Sequence, residues 1–574
     1  MHYKTLGALL LPLFAFSYNL DKLSNEKYWK ILLHFKNKES EIDSPNFFLS
    51  KNGKFSQKDE LNATIYYLTH PKYKDDNSTY CRFPARREWI KSKIPNLPIK
   101  KQNCYELNKE LNTIKNIKSV SVIFPTILMN SPASMFGHTL LRLNYANGDY
   151  LNSFAINYAA QTNETNGIIY AFKGLTGGYI GKYAVLPYYK KIAEYNDIKN
   201  RDIWEYTLNL NQEEIKRLKL HLFEVKETWS YYYYFNKNCS YEILWLIQAA
   251  RPDIKLVYKF NYKVLPVDTL KEMKNENLIV SSNFRPSKQK IILNYYTHIK
   301  HKKRALQFEK THNEELIKNL PLKERQYILD FAIEMTNYKY LSKELPRKRY
   351  LKEYISLLKK RSRLGKETPP KITPPQNPLT SHDSNKFWVF GKKDDFIIGF
   401  KPAFHYIDDL NTGFTPGAYI DFFSFETTTK KLQNFYLFRI KSLSPRNDIF
   451  KPISWSVKLG GERFKKNKFY ATLKTGAYLT YQKKRLLYSI GINIPQYYRK
   501  KHYITAAPAF YVEYNLKNSK VYANFERDFF NFKTYNTIKT EFIQKIQKNF
   551  NLNIGYKHDL NQNFFYGGFS LYFL

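Results

Sequence analysis

The chain has 574 residues, and its 92 Lys+Arg against 50 Asp+Glu give a formal net charge of +42. That length leaves room for about two or three domains. The basic excess is spread along the whole chain beside abundant Asn, Ile, Tyr and Phe, as a bias towards AT-rich codons would leave it. A nucleic-acid partner, which Lys and Arg would serve by neutralising phosphates, is therefore set aside in favour of the surface of an anionic membrane.

Residues 1–17 read as a signal peptide. Lys4 supplies the early charge, Leu6–Phe16 an apolar run too short to span a bilayer, and Ala15-Phe16-Ser17 small residues for cleavage. No later segment approaches the ~18 apolar residues of a membrane helix. Residues 18–118 read as short helices broken by loops, for example Lys27–Phe35 and Arg86–Lys93. In the oxidising compartment that export implies, the three cysteines divide most simply into one disulfide, Cys81–Cys104, and one free thiol, Cys239.

Residues 119–280 mix strands and helices and hold the chemistry. The strand-like run Val120–Phe124 leads into a small-residue loop, Asn130–Ser134, and then Gly137-His138 opens a second apolar run, Leu140–Leu143. A histidine placed there combines the access of a loop with the rigidity of a strand. The next strand, Leu151–Tyr158, offers Asn152, Ser153 and Asn157 to orient it, with Asn157 preferred and Ser153 on the same face. Ser131 and Ser134 are candidates to shape a pocket or stabilise an oxyanion. Further on, Asn238 or Ser240 can cap a helix that begins at Cys239; Asn238 is also a pocket candidate. A helix N-terminus favours the thiolate and should lower the Cys239 pKa. Gly174, Gly177, Gly178 and Gly181 suggest a flexible flap; they lack the spacing of a nucleotide loop.

Residues 281–365 read as a basic helical region, including Leu322–Tyr338 and Arg347–Lys360, and 366–386 as a Pro-rich linker. From 387 to 574 the hydrophobic period becomes two. Ile453, Trp455, Val457 and Leu459 alternate with Ser454, Ser456 and Lys458, and roughly a dozen such segments follow one another. A soluble sandwich would alternate too. The up-and-down order, the Tyr and Phe content and a terminal strand favour an outer-membrane β-barrel. No cofactor is expected, and no metal either: there is no HExxH or paired CxxC, and His298 and His301 lie in a basic stretch.

The blocks SPASMFGHTLLRL, LNSFAINYAAQT, YAFKGLTGGYIGKYAVLPYYKKIAEYN, RDIWEYTLNL, YYYYFNKNCSYEIL and LPVDTL together resemble the Lnb N-terminal periplasmic domain family, whose name comes from a bacterial lipoprotein N-acyltransferase. The resemblance extends more weakly upstream through CRFPARREW. It implies an α+β, circularly permuted papain-like (NlpC-type) fold with helical flanks, here followed by an all-β antiparallel barrel. It implies His138 as base and Cys239 as the nucleophile that forms a thioester. The expected activity is cysteine acyl transfer or hydrolysis on an envelope lipid or lipoprotein. The alternatives are an NlpC-type amidase or peptidase acting on a peptidoglycan peptide, and a non-catalytic barrel with an adaptor domain. Outer-membrane lipid is the expected partner, with a phospholipid, lipoprotein or peptidoglycan peptide as substrate and a cell-envelope location. The namesake has transmembrane helices after this domain where this chain alternates, so thiol chemistry transfers further than the exact reaction.

Overall fold

The computed structural model describes residues 19–574 apart from 130–134, 136, 147–152, 165, 465–466, 531–532 and 560–561. The expected signal peptide at 1–17 lies outside the described residues. The chain divides into two compact units. One comprises Met1–Thr126, Phe136–Lys288 and Tyr338–Arg347; the other comprises Ile127–Met135, Gln289–Asn337 and Lys348–Leu574.

The first unit is built on an antiparallel sheet. Its strands are β1 (Ile117–Pro125), β2 (Leu140–Tyr145), β3 (Phe154–Ala160), β4 (Tyr179–Pro187), β5 (Ile203–Leu208), β6 (Ser230–Tyr232) and β7 (Ile279–Arg285). They run in the order β6-β4-β3-β2-β1-β5-β7. The apolar runs read from sequence pair directly, Ile123 opposite Leu140 and Leu141 opposite Ile156. The sheet continues to Arg285, beyond residue 280.

The helices labelled here are α1 (Lys27–Leu32), α2 (Gln57–Thr69), α3 (Pro84–Lys93), α4 (Gly167–Thr176), α5 (Gln212–Val225), α6 (Cys239–Ala250) and α7 (Pro266–Asn275). Helix α6 is buried along its whole length. A helix apolar on every side belongs in a core, and α6 is enclosed by β2 and β3 together with α1, α5 and α7. Upstream, Arg86 on α3 is wholly buried between the rings of Phe47 and Phe83. Its guanidinium donates to Glu60 at 2.7 Å and to the Phe47 carbonyl at 3.0 Å, while its backbone N–H donates to Glu224 of α5 at 2.9 Å. This buried ion pair ties the N-terminal helices to the sheet domain, and removing either partner is costly. Cys81 and Cys104 are joined in a disulfide, and Cys239 is free.

The second unit contains the barrel. Its strands β8 to β19 are Asn385–Lys392, Asp395–Lys401, Ala418–Thr428, Leu432–Ser442, Ser454–Arg463, Phe469–Lys483, Leu486–Tyr498, Ala507–Asn515, Ser519–Phe530, Lys533–Gln547, Phe550–His558 and Asn563–Phe573. Each pairs antiparallel with the next, and β8 pairs with β19, which closes a 12-strand barrel. Alternation sorts the faces. On β13, Tyr470, Thr472, Tyr478 and Thr480 are buried, whereas Ala471, Ala477, Leu479 and Tyr481 are exposed. Ile490, Ile492 and Ile494 on β14 and Phe565, Phe569, Leu571 and Phe573 on β19 extend the outward apolar surface. The lumen is filled by ion pairs and hydrogen bonds, including Arg439–Asp421, Lys458–Glu462 at 2.7 Å and Lys474–Glu526 at 2.5 Å. Apolar outside and polar inside is the reverse of a soluble sandwich. Among the described residues no helix is long and apolar enough to cross a membrane.

Candidate active site

His138 stands immediately before β2, after a Gly137 with φ +91°. A Cβ at Gly137 would also come within 2.7 Å of the Phe124 ring, so glycine lets the chain turn tightly against β1 and release His138 towards β3. There the imidazole meets Asn157, with Nε2 and Oδ1 2.7 Å apart. An amide oxygen only accepts, so Nε2 carries the proton and the Nδ1 lone pair stays available. Ser153, buried just before β3, takes the Tyr188 N–H on its carbonyl at 2.7 Å. Asn157 bonds His138 from this strand. Asn152, Ser131 and Ser134 lie outside the described residues. Burial holds the His138 pKa down to about 3, with Arg201 and Lys191 pushing the same way and the Asn157 bond opposing.

Cys239 is the first residue of α6. Asn238 is the N-cap, its Oδ1 accepting from Ser240 N–H at 3.1 Å and Tyr241 N–H at 3.3 Å. The Asn238 amide group donates to the carbonyls of Tyr234 and Val264, at 2.8 Å and 2.7 Å. Both ends of that side chain are committed, so Asn238 anchors the helix start and does not serve as an oxyanion donor. The backbone N–H groups of Thr139, the residue after His138, and of Ser240, together with the Tyr232 hydroxyl, act on the thiol to favour its thiolate.

The expected lowering of the Cys239 pKa is overturned. Burial raises it, outweighing the three hydrogen bonds and the attraction of Arg201. The helix N-terminus supplies its N–H groups, but desolvation of a wholly enclosed thiolate costs more. At rest both the Cys239 thiol and the His138 imidazole are neutral.

Three residues absent from the sequence-based site complete it. The Tyr232 hydroxyl lies where it favours the Cys239 thiolate, and its phenol in turn feels the Cys239 backbone N–H. The Tyr195 ring lies 5.6 Å from the His138 ring. Arg201 sits over Tyr195 at 5.2 Å and donates to the carbonyls of Thr126 and Pro125, at 2.6 Å and 2.7 Å. The signal for Tyr232 was present as period two within Tyr231–Tyr234: Tyr231 is exposed while Tyr232 and Tyr234 are buried. The glycine-rich stretch is not a flap. It forms α4 and β4, and a Cβ at Gly174, Gly177 or Gly181 would overlap the rings of Tyr234, Tyr233 and Tyr158.

In the barrel, His382, His405 and Asp409 bring ligand atoms within 4.8 Å of one another. Asp409 is already neutralised by Lys386 and Lys401, and it accepts from Tyr572 at 2.9 Å and Tyr406 N–H at 2.7 Å. Two ammonium groups repel a further cation, so this donor set is not assigned a metal.

Residues 108–276 match the model of the Lnb N-terminal periplasmic domain. The flanks match three domains of unknown function: DUF7843 over residues 21–93, DUF7842 over 282–373 and DUF7840 over 375–565. No curated protein matches the chain. A periplasmic domain family and a closed β-barrel on one chain fit a cell-envelope protein. The His138, Asn157 and Cys239 site accordingly lies within a domain of the Lnb N-terminal periplasmic family, carried on a chain that ends in a β-barrel.

Proposed function

We propose that this chain is an outer-membrane-anchored cysteine acyltransferase or acyl hydrolase acting on envelope lipid or lipoprotein. Its first unit is read as a permuted papain-like enzyme. The observation that carries the reading is the His138–Asn157 bond through Nε2, which leaves Nδ1 as a base, one residue from the Thr139 N–H that holds the thiol.

The Cys239 proton passes to His138 Nδ1 as the sulfur attacks an acyl ester carbonyl. The tetrahedral oxygen takes the Thr139 N–H and the Tyr232 hydroxyl, two donors that already favour the thiolate. Collapse expels the alkoxide, which takes the proton from the imidazolium and leaves an acyl thioester. An amine or a water, deprotonated by His138, then attacks the thioester and restores the thiol. With both groups neutral at rest, the thiol gives up its proton only as the sulfur–carbon bond forms.

Intact-mass measurement after incubation of detergent-solubilised protein with a diacyl phospholipid tests it. One acyl mass on Cys239, removed by hydroxylamine, is expected. A peptide adduct from peptidoglycan fragments instead would select amidase or peptidase chemistry. No adduct from either substrate would leave the domain as an adaptor.

A further inference from the structure

Helix α4 covers the tyrosines of the site. Its Tyr170 ring lies 5.5 Å from those of both Tyr179 and Tyr234. The Tyr234 N–H donates to the Gly174 carbonyl at 2.9 Å. Only a residue without a Cβ fits at Gly174, where the Tyr234 ring would otherwise stand 2.3 Å away. Tyr170 also lies within electrostatic reach of Cys239, although burial is the chief influence on its phenol. One side of this helix thus packs on Tyr234, whose ring lies 5.8 Å from that of Tyr232.

The other side faces outward and is apolar. Ile169, Phe172 and Leu175 are 42%, 66% and 43% exposed. Steps of three residues put them along one face. Single exposed apolar side chains need no explanation, but three in a row on the helix that covers a nucleophile form a patch. A bilayer is the occupant favoured by the rest of the chain. Its barrel turns an apolar surface outward and its net charge is +42. An exposed apolar helix face on a strongly basic chain is what an interfacial helix presents to anionic lipid.

We propose that α4 is an interfacial docking helix, whose Ile169, Phe172 and Leu175 face enters the headgroup–acyl boundary of a lipid bilayer while its Tyr170 side packs on Tyr234. An acyl ester at that boundary then has a short path to Cys239. The inference rests on the acyl-transfer reading of the same site and names the surface from which the substrate comes.

The test uses the full chain in proteoliposomes of phosphatidylethanolamine and phosphatidylglycerol, in a Cys239→Ser background. Bimane is attached at Phe172→Cys, at Leu175→Cys, and for comparison at Tyr66→Cys, an exposed site on α2. Phospholipid carrying a nitroxide on its acyl chain should quench the first two at least twofold more than the third. Equal quenching at all three sites would overturn the proposal. So would shielding of positions 172 and 175 from aqueous iodide without quenching by lipid, because protein would then cover the face. The readout needs no turnover. Quenching without an acyl adduct on the wild-type thiol retains the docking helix and removes the acyl-transfer reading, and an adduct without quenching does the reverse.

Discussion

At the residue scale, the protonation states of two side chains decide how the thiol is activated. His138 is held to about 3 by burial, so the imidazole stays neutral, and able to accept a proton, throughout the mildly acidic range. The acid limb of thioester formation should accordingly lie below the ordinary histidine range near ~6.5. Cys239 is raised by the same burial, so iodoacetamide alkylation should be slow at neutral pH and accelerate above the usual thiol value of ~8.5. An alkylation rate already at its plateau below pH 7 would reveal a thiolate–imidazolium pair and contradict the neutral one. Cys239→Ser and His138→Ala should each abolish the adduct with strongly non-additive losses, since members of one catalytic unit fail together. Asn157→Ala should be milder, because water can replace part of an orienting bond. The sequence disclosed His138 through its glycine turn and Cys239 through its helix start. It could not disclose the sign of the thiol shift, which depends on how completely β2, β3 and the tyrosines from distant segments enclose the sulfur.

At the scale of the element, α6 places an acid one turn beyond the nucleophile in the same dry core. Glu242 is pushed up to about 8 by burial first and by Glu41 second, with Lys237 and the Tyr183 hydroxyl opposing. Its folded pKa exceeds its unfolded one, so it contributes stability that is full below about 4.5 and is lost as pH rises through about 8. Glu242→Gln mimics the protonated form. The variant should gain thermal stability relative to wild type as pH goes from 5 to 8.5, by up to a few kcal/mol; a difference independent of pH would refute the assignment. His34, stacked on Trp245 and held well below its usual range by burial, works in the opposite direction and is common to both proteins.

Upstream, the Cys81–Cys104 link closes a loop with a sequence separation of 23. Cys104→Ser should cost about 3 kcal/mol on the loop-entropy estimate, and thiol counting of denatured, unreduced wild type should find one free thiol. Helix α4 shows the limit of reading elements from composition. Four glycines within eight residues resemble a hinge, but here they admit tyrosine rings brought by β3 and by the Tyr233–Tyr234 segment, partners that no local pattern announces.

At the scale of the whole molecule, the barrel was the most legible part because its signal repeats. Period two recurs strand after strand, and a sheet with one apolar and one polar face must bury one of them. What the pattern left open was which face turns outward and whether the sheet closes. Pairing of β8 with β19 answers the second question, and the charged lumen answers the first. Neighbouring positions on β13 turn this into a measurement. Lys474 points into the lumen against Glu526 at 2.5 Å, whereas Leu473 faces outward, paired with Leu459 near the middle of its strand. If the outward face meets hydrocarbon, Leu473→Arg places a charge in lipid and should destabilise the barrel by ~2–4 kcal/mol at the bilayer midplane. Lys474→Arg keeps its partner and its charge and should cost far less. The two can be compared by the urea midpoint for loss of the compact, unheated electrophoretic form in lipid vesicles. Equal midpoints for Leu473→Arg and Lys474→Arg would mean that the outward face meets no hydrocarbon. Recovery of wild-type protein in soluble form without detergent would point the same way, because an outward surface of Ile, Phe and Leu stays in solution only when something other than lipid covers it.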